Sequence, residues 1–160
     1  MAVHRVTRIL PYQPHQLADL VADVRAYPEF VPWVTAMRVW NPRTESDGVE
    51  LIDAEAQVGF SFLKERFATR VRRDALNRQI DVSLLSGPFR KLVNRWRFLD
   101  AGHGCTRIEF DIEFQFKSRL LEGLLTANFA TAVQRLMACF EARARSLYGE
   151  PAPTQQSPAA

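Results

Sequence analysis

The sequence has few of the residues that build catalytic and metal-binding sites. His4, His15 and His103 fall in separate predicted elements, and Cys105 and Cys139 form no CxxC or Cys/His spacing. No HExxH or GxSxG motif is present, and the dispersed glycines exclude a phosphate-binding loop. We therefore expect a protein that is not an enzyme, with no catalytic residue set, no metal and no catalytic cofactor.

Long apolar runs are also missing. The longest uncharged run before the C-terminal tail, residues 123–134, is shorter than the roughly 20 residues that a membrane-spanning helix needs. The N-terminus carries charges every few residues and lacks the apolar stretch of a secretory signal. We expect a cytoplasmic protein with one domain over residues 1–149 and a disordered, proline-rich tail at residues 150–160.

The net charge of +3 is small but unevenly distributed. Ten basic and three acidic residues lie between Lys64 and Arg97, which gives this segment +7 and leaves −4 for the rest. This excess is typical of a solvated sheet face, and it also fits a surface that attracts anionic lipid or RNA. The candidates for such a basic face are Arg70, Arg72, Arg95 and Arg97.

Alternation of apolar and polar residues predicts an antiparallel sheet. In residues 105–117 the even positions are apolar or threonine, and the odd positions are mostly charged. Residues 66–72, 80–85 and 92–99 alternate in the same way, and turn-forming residues separate these segments. Half-buried strands of this kind are typical of antiparallel pairing. Together with upstream strands they predict a sheet of about seven strands.

Helical periodicity marks two further regions. Residues 14–25 predict a short helix with Pro14 in its first turn. After Ser118, a predicted N-cap, apolar residues recur every three or four positions up to Leu147 and predict one helix of about 30 residues, or about 45 Å. Only this helix is long enough to cover the sheet. We therefore predict an α+β helix-grip fold, in which a curved antiparallel sheet wraps around a long C-terminal helix.

The predicted core face contains small residues and one amide, which suggests a pocket. Ala54 and Ala56 stand where neighbouring strands carry large side chains, so they either leave room for a ligand or let the helix pack closer. Asn94 lies beside Trp96 on an otherwise apolar face, and a buried amide without a partner costs about 1–3 kcal/mol. Its partner is Thr69, a backbone group or a ligand carbonyl.

Three segments carry apolar residues at predicted turns or junctions. Two of them, 59–64 and 84–89, are predicted hairpin tips followed by basic residues, which suits either a pocket lid or membrane docking. Their contact candidates are Phe60, Phe62, Leu63, Pro88 and Phe89. The third, residues 27–34, concentrates prolines and aromatics and forms either a rigid pocket wall or an ordinary hydrophobic plug.

Four motifs resemble one known family. YPEFVPWV at 27–34, KERFATRV at 64–71, GPFRKLVNRWRF at 87–98 and IEFDIEFQFKSRLLEGLL at 108–125 are similar to the coenzyme Q-binding protein family, within the START-like polyketide cyclase and lipid transport superfamily. The resemblance implies an apolar tunnel between the sheet and the long helix. It also implies binding of ubiquinone or a polyprenyl intermediate in support of respiration or quinone biosynthesis, without catalysis.

The resemblance also implies pocket residues. It implies that the pocket candidates are Tyr27, Pro28, Phe30, Pro32, Trp33, Phe67, Val71, Pro88, Phe89, Asn94, Trp96 and Phe98. The core faces of the strands and the helix add Ala54, Ala56, Phe110, Leu125 and Phe129. Asn94 and the indole of Trp33 or Trp96 are the expected hydrogen-bond donors to a quinone carbonyl.

Two functions remain open at this point. The first is a carrier of ubiquinone or a polyprenyl lipid that acts at the inner membrane surface. The second is a ribosome-associated regulator, because the same family includes bacterial inhibitors of ribosomal subunit association. A polyketide cyclase or aromatase is less favoured, since no acid or histidine lies on the pocket face, and no DNA binding is expected.

Overall fold

The computed structural model describes residues 2–60 and 63–150. Its helices are α1 (Pro14–Ala22), α2 (Tyr27–Phe30), α3 (Arg119–Thr126) and α4 (Phe129–Tyr148), with a 3₁₀ turn at Val24–Ala26. Its strands are β1 (Ala2–Leu10), β2 (Val34–Ser46), β3 (Val49–Phe60), β4 (Leu63–Asp74), β5 (Gln79–Ser86), β6 (Phe89–Gly102) and β7 (Cys105–Phe116).

The strands form one antiparallel sheet in the order β1-β7-β6-β5-β4-β3-β2. Every strand from β2 to β6 pairs with the next one along the chain, and β1 pairs with β7. The sheet curves around the long C-terminal helix α4, and this arrangement confirms the predicted helix-grip class.

The strand register places the large apolar side chains on one face. Trp96 of β6 lies opposite Phe110 of β7, and Phe98 lies opposite Ile108. All four side chains are buried, and Phe98 is 0% exposed. Because side chains alternate along a strand, this register also places the charged residues of β6 and β7 on the outer face.

The predicted single C-terminal helix is wrong in one respect, because two helices occupy its place. α3 ends at Thr126 and α4 begins at Phe129. At the break, the Asn128 side chain donates a hydrogen bond to the Leu124 carbonyl at 3.3 Å. This bond satisfies a C-terminal carbonyl of α3 and competes with helix continuation. The 20 residues of α4 span about 30 Å, not about 45 Å.

The two ends of the sheet differ in how tightly they are closed. At the end that carries the β2–β3, β4–β5 and β6–β7 turns, here called the closed end, α1 packs near the C-terminus of α4. The Tyr148 hydroxyl donates to the Gln16 carbonyl at 2.8 Å, and the Tyr12 hydroxyl donates to the Gly149 carbonyl at 3.0 Å. The opposite end, here called the open end, carries the β5–β6 turn and the β7–α3 connection.

Gly87 is required in the β5–β6 turn. Its φ is +140°, and a Cβ at this position would lie 2.5 Å from Cβ and 3.0 Å from Cα of Phe67. We expect Gly87→Ala to lower the free energy of unfolding by roughly 1–3 kcal/mol, because the turn must move away from Phe67. Urea denaturation measures the loss.

The matched control for this substitution is Gly102→Ala. Gly102 has φ +84°, but no atom lies within 4 Å of its Cβ position. It therefore reports the cost of the left-handed backbone alone, about 1–2 kcal/mol. Equal losses in the two variants would contradict a role for the close approach to Phe67.

Candidate functional site

A chain of phenylalanine rings runs from the core to the open end. Phe129 and Phe114 have ring centroids 4.2 Å apart, and Phe114 lies 5.3 Å from Phe116. Phe116 stacks on Phe89 at 4.7 Å, and Phe89 meets Phe67 edge-on at 5.4 Å. Phe114 is buried, whereas Phe67, Phe89 and Phe116 are only half-buried. These three rings are called the ring cluster below.

Strand pairing and one tight turn bring the three rings of the ring cluster together. Phe89 begins β6 and is the register partner of Phe116 near the end of β7. The backbone N–H of Lys117 donates to the Pro88 carbonyl at 2.8 Å and fixes this pairing beyond the last ring. Phe67 belongs to β4. The β5–β6 turn lies close to Phe67 at Gly87, and this proximity brings the Phe67 ring into contact with Phe89. An aromatic surface therefore stands at the entrance to the space between the sheet and the helices.

The helix beside this surface, α3, is loosely held. None of its residues is buried. The Leu121 N–H donates to the Ser118 hydroxyl at 3.3 Å, and the Phe116 N–H donates to the Glu122 carboxylate at 2.7 Å. The latter bond holds the pKa of Glu122 below its usual value. An element with few buried apolar contacts opens at low cost, so α3 can move without exposing a buried side chain of its own.

One small cavity lies in the interior between the sheet, α1 and α4. The enclosed cavity there has a volume of about 10 Å³, roughly the space of one water molecule. Trp96 and Phe140 line it, and Phe98 and Phe110 are buried beside it. Among the described residues, the tunnel that the resemblance implies is therefore closed at this position, and these predicted pocket residues are core residues in this conformation.

The predicted polar anchors bond to each other. The Asn94 side chain donates to the Asp111 carbonyl at 2.9 Å, and the Trp96 indole N–H donates to the Asn94 side-chain oxygen at 2.9 Å. Of the three partners considered for Asn94, a backbone group is the one found. The Trp96 N–H is occupied, whereas the amide of half-buried Asn94 has a second N–H, for which no acceptor is found among the described residues.

The proline-rich segment 27–34 packs mainly as a plug against α4. The rings of Tyr27 and Phe30 lie 5.4 Å and 5.3 Å from Phe140. The Tyr27 hydroxyl donates to the Val21 carbonyl at 2.5 Å, and burial raises its pKa well above the usual value. Pro32 is exposed. Trp33 is half-buried near the open end, where its carbonyl accepts a bond from Gly59 at 2.9 Å.

The remaining predicted pocket residues divide between the core and the open end. Ala54, Ala56 and Val71 are buried on the inner face, as the alternation predicts. Leu125 is half-buried on α3, and Phe129 is half-buried at the start of α4, where its ring contacts Phe114.

Only some of the residues predicted to form a lid or a membrane contact can be located in the structure. Pro88 and Phe89 are half-buried at the open end. Phe62 and the side chains of Phe60 and Leu63 lie outside the described residues.

A second concavity, of about 500 Å³, lies between α1 and strands β2 to β4. Its rim is charged, and an ion pair of 2.5 Å between Arg73 and Asp19 joins α1 to β4. This groove was not among the features predicted from the sequence. The sequence contains a signal for it in β3 and β4. Glu50 and Arg73 are register partners, and both place a charged side chain on the otherwise apolar inner face of these strands.

Most of the predicted basic face is neutralised by acidic residues from neighbouring strands. Arg70 pairs with Asp53 at 3.0 Å, Arg72 with Glu45 at 2.8 Å, and Arg95 with Asp81 at 2.6 Å. Arg97 is exposed, and no carboxylate of a described residue lies within 4.0 Å of it. The outer face is therefore an array of ion pairs rather than a continuous cationic surface.

Asp53 is the buried member of this array, with 4% of its surface exposed. The hydrogen bond from Arg70 holds its pKa below the usual value, and Asn41 and Arg43 act in the same direction. We expect Asp53→Asn to lower the free energy of unfolding by roughly 1–3 kcal/mol at pH 7, because a buried acceptor of charged hydrogen bonds is lost.

The pH dependence of this effect has a definite sign. The folded-state pKa of Asp53 lies below the unfolded value of about 3.9, so its stabilisation is complete above that pH and declines as pH falls through the folded-state value. Urea denaturation from pH 7 downward measures it. Glu55→Gln, in the exposed 3.7 Å pair with Arg38, is the control and should change stability little. A loss at Asp53 that persists unchanged in acid contradicts this assignment.

Neither a metal centre nor a membrane span is found in the part of the chain that the structure describes. Within residues 2–60 and 63–150, no group of three or more His, Cys, Asp or Glu side chains is placed to hold a metal ion. Within the same ranges, no helix combines the length and apolar character needed to cross a bilayer.

Comparison with known proteins identifies the family. The model of the family described as polyketide cyclase/dehydrase and lipid transport matches residues 10–141. Ribosome association toxin RatA of Rickettsia prowazekii is 33% identical over 144 residues, covering 88% of this chain and 94% of that protein. The mitochondrial coenzyme Q-binding protein coq10 of Schizosaccharomyces pombe is 32% identical over 134 residues, covering 81% of this chain and 78% of that protein.

A solved structure agrees with these matches. The solution structure of the 18 kDa protein CC1736 from Caulobacter crescentus is similar, with a TM-score of 0.78 and 59% identity over 94% of this chain and 100% of that chain. Since relatives of both names match, the comparisons do not separate coenzyme Q binding from ribosome association. The family model covers most of the chain and relatives above 30% identity extend along it, so the protein belongs to the polyketide cyclase/dehydrase and lipid transport family.

Proposed function

We propose that this protein is a non-enzymatic carrier that binds ubiquinone or a related polyprenyl lipid at the open end and supports respiratory electron transport or quinone biosynthesis. One observation carries the proposal: the ring cluster of Phe67, Phe89 and Phe116 stands half-buried beside α3, a helix with no buried residue. Aromatic rings stacked at the entrance of a core suit an isoprenoid chain, which offers apolar surface without hydrogen-bonding groups.

We infer that α3 moves during uptake, because it is the loosely held helix beside the ring cluster and the interior cavity lined by Trp96 holds only about 10 Å³. The cost is low, since displacing α3 uncovers no buried side chain of its own. The gain is large, since each square ångström of apolar surface removed from water contributes about 25 cal/mol. Several buried isoprene units therefore offset the cost of association and of moving the helix.

The head group would be held further inside, along the same inner face. Asn94 lies opposite Ile112, two residues before Phe114 of the ring chain. Its second amide N–H is the donor that a quinone carbonyl would use. The name of the coq10 relative and the lipid transport description of the family both support a ligand of this class.

Mass spectrometry of the protein after gentle purification from a quinone-producing host tests this function. We expect a co-purified quinone or prenyl lipid, and saturable quenching of tryptophan fluorescence when ubiquinone is added to the delipidated protein. Absence of both results would contradict the carrier function. Dehydrating turnover of a polyketide substrate would contradict its non-enzymatic character.

A second candidate function is ribosome association, favoured by the name of the RatA relative at 33% identity. Exposed Arg97, which no carboxylate of a described residue approaches within 4.0 Å, is the position on the outer face where phosphate contact would centre. Such binding should weaken steeply with salt. Gradient sedimentation with ribosomal subunits at low salt decides it, and failure to co-migrate would rule the candidate out. Because ion pairs neutralise the rest of the predicted basic face, we place this function second.

A further inference from the structure

The outward side of α3 presents an apolar ridge. Leu120 is 71% exposed and Leu124 is 44% exposed. The two residues are four positions apart, so they lie one above the other on the same side of the helix. Among the described residues, no atom outside the helix backbone and the flanking residues lies within 4 Å of the Cβ position of Gly123 between them. Leu121 and Leu125 are half-buried on the other side, so α3 is apolar on two sides.

Basic residues without carboxylate partners surround this ridge. Lys117 and Arg119 immediately precede it and are exposed. Exposed Arg90 lies two residues beyond Pro88, whose carbonyl accepts the Lys117 N–H at 2.8 Å. Among the described residues, no carboxylate lies within 4.0 Å of any of these three cations. This contrasts with the outer face of the sheet, where most of the predicted arginines are paired.

We propose that Arg90, Lys117, Arg119, Leu120 and Leu124 form a docking surface for an anionic lipid bilayer, here called the α3 surface. The leucines would enter the acyl boundary while the cations contact anionic head groups. A second copy of the chain could cover the leucines only by bringing its own copies of these cations against them, and the like charges would repel. RNA would use the cations but leave the leucines exposed, and no aromatic residue stands beside them on α3 for base stacking.

The location gives this surface a role in lipid exchange. α3 is the helix inferred to move when the ring cluster accepts a ligand, so docking through α3 would place that entrance against the bilayer. The inference rests on the proposed function in this respect only, since docking itself requires no bound quinone.

Vesicle co-sedimentation tests the α3 surface. Vesicles of phosphatidylcholine alone are compared with vesicles of phosphatidylcholine and phosphatidylglycerol in equal parts, and we expect binding to the anionic vesicles only. The paired substitutions Leu120→Gln and Leu124→Gln, which keep good helix formers in α3, should weaken binding by about tenfold or more. Lys117→Gln with Arg119→Gln should weaken it by about fivefold for each cation.

The β4–β5 turn at the closed end offers matched controls. Leu76 is 78% exposed, and exposed Arg78 has φ 51°, which asparagine tolerates. Leu76→Gln and Arg78→Asn should leave vesicle binding unchanged. Circular dichroism of every variant confirms that the fold is retained.

The outcomes separate docking from carriage. If the wild type binds quinone but not anionic vesicles, or if the α3 variants bind vesicles as well as the controls do, the docking surface is overturned and the proposed function stands. If the protein docks through α3 but takes up no quinone, the proposed function fails and the surface stands. Binding to RNA in place of vesicles, lost on Lys117→Gln with Arg119→Gln, overturns the lipid assignment.

Discussion

Phe98→Ala is expected to lower the free energy of unfolding by about 3–5 kcal/mol, the range for removing a large buried aromatic side chain. Phe98 is 0% exposed and stacks parallel to Trp96, with ring centroids 6.3 Å apart. The enclosed space lined by Trp96 is only about 10 Å³, so the deletion leaves a cavity that its neighbours fill incompletely. Urea denaturation followed by tryptophan fluorescence measures the loss.

This substitution also distinguishes a core residue from a pocket residue. As a core residue, Phe98 should matter for stability while the ubiquinone affinity of the folded variant stays within about twofold. Phe98→Leu is the control and should cost clearly less than the alanine variant, because it retains most of the buried volume. A loss below about 1 kcal/mol, accompanied by weaker quinone binding, would show that Phe98 lines a pocket instead.

Phe89→Ala should have the opposite profile. Phe89 is half-buried and holds the ring cluster together, since it touches both Phe116 and Phe67. Truncating an aromatic anchor at the centre of a binding surface costs about 2 kcal/mol or more, which corresponds to roughly 30-fold in affinity. Quenching of tryptophan fluorescence during ubiquinone titration measures the change. The loss of stability should be smaller than that of Phe98→Ala, because the Phe89 ring is already partly solvated.

Leu85→Ala is the matched control for Phe89. It removes an apolar side chain from the same β5–β6 hairpin at a position that is 40% exposed. We expect its quinone affinity to equal that of the wild type. Equal affinities of the Phe89→Ala and wild-type proteins would contradict the location of the site at the ring cluster.

The fold could be predicted largely from periodicity. The alternation in residues 105–117 marks the strand Cys105–Phe116 almost to its ends, and the same alternation assigns Trp96 and Phe110 to the inner face. The break between α3 and α4 could not be predicted in this way. The break depends on a hydrogen bond from the Asn128 side chain to a backbone carbonyl, and the apolar periodicity of the segment carries no information about such a bond.

The candidate site was only partly predictable. All three rings of the ring cluster lie in the motifs that carry the family resemblance, but a pocket or lid role was predicted for Phe67 and Phe89 and not for Phe116. Its importance arises from strand pairing, which brings it opposite Phe89. The ion pairs on the predicted basic face could not be predicted for a similar reason. The acids that pair with Arg70 and Arg72 come from β2 and β3, outside the segment in which the charge was counted.

Two-dimensional NMR of isotope-labelled protein titrated with a short-chain ubiquinone tests the central claim most directly. We expect saturable shifts at Phe67, Phe89 and Phe116 and along α3, with the closed end around Tyr12 unchanged. Shifts that fail to saturate, or saturable shifts confined to the groove between α1 and β4, would contradict a quinone site at the open end.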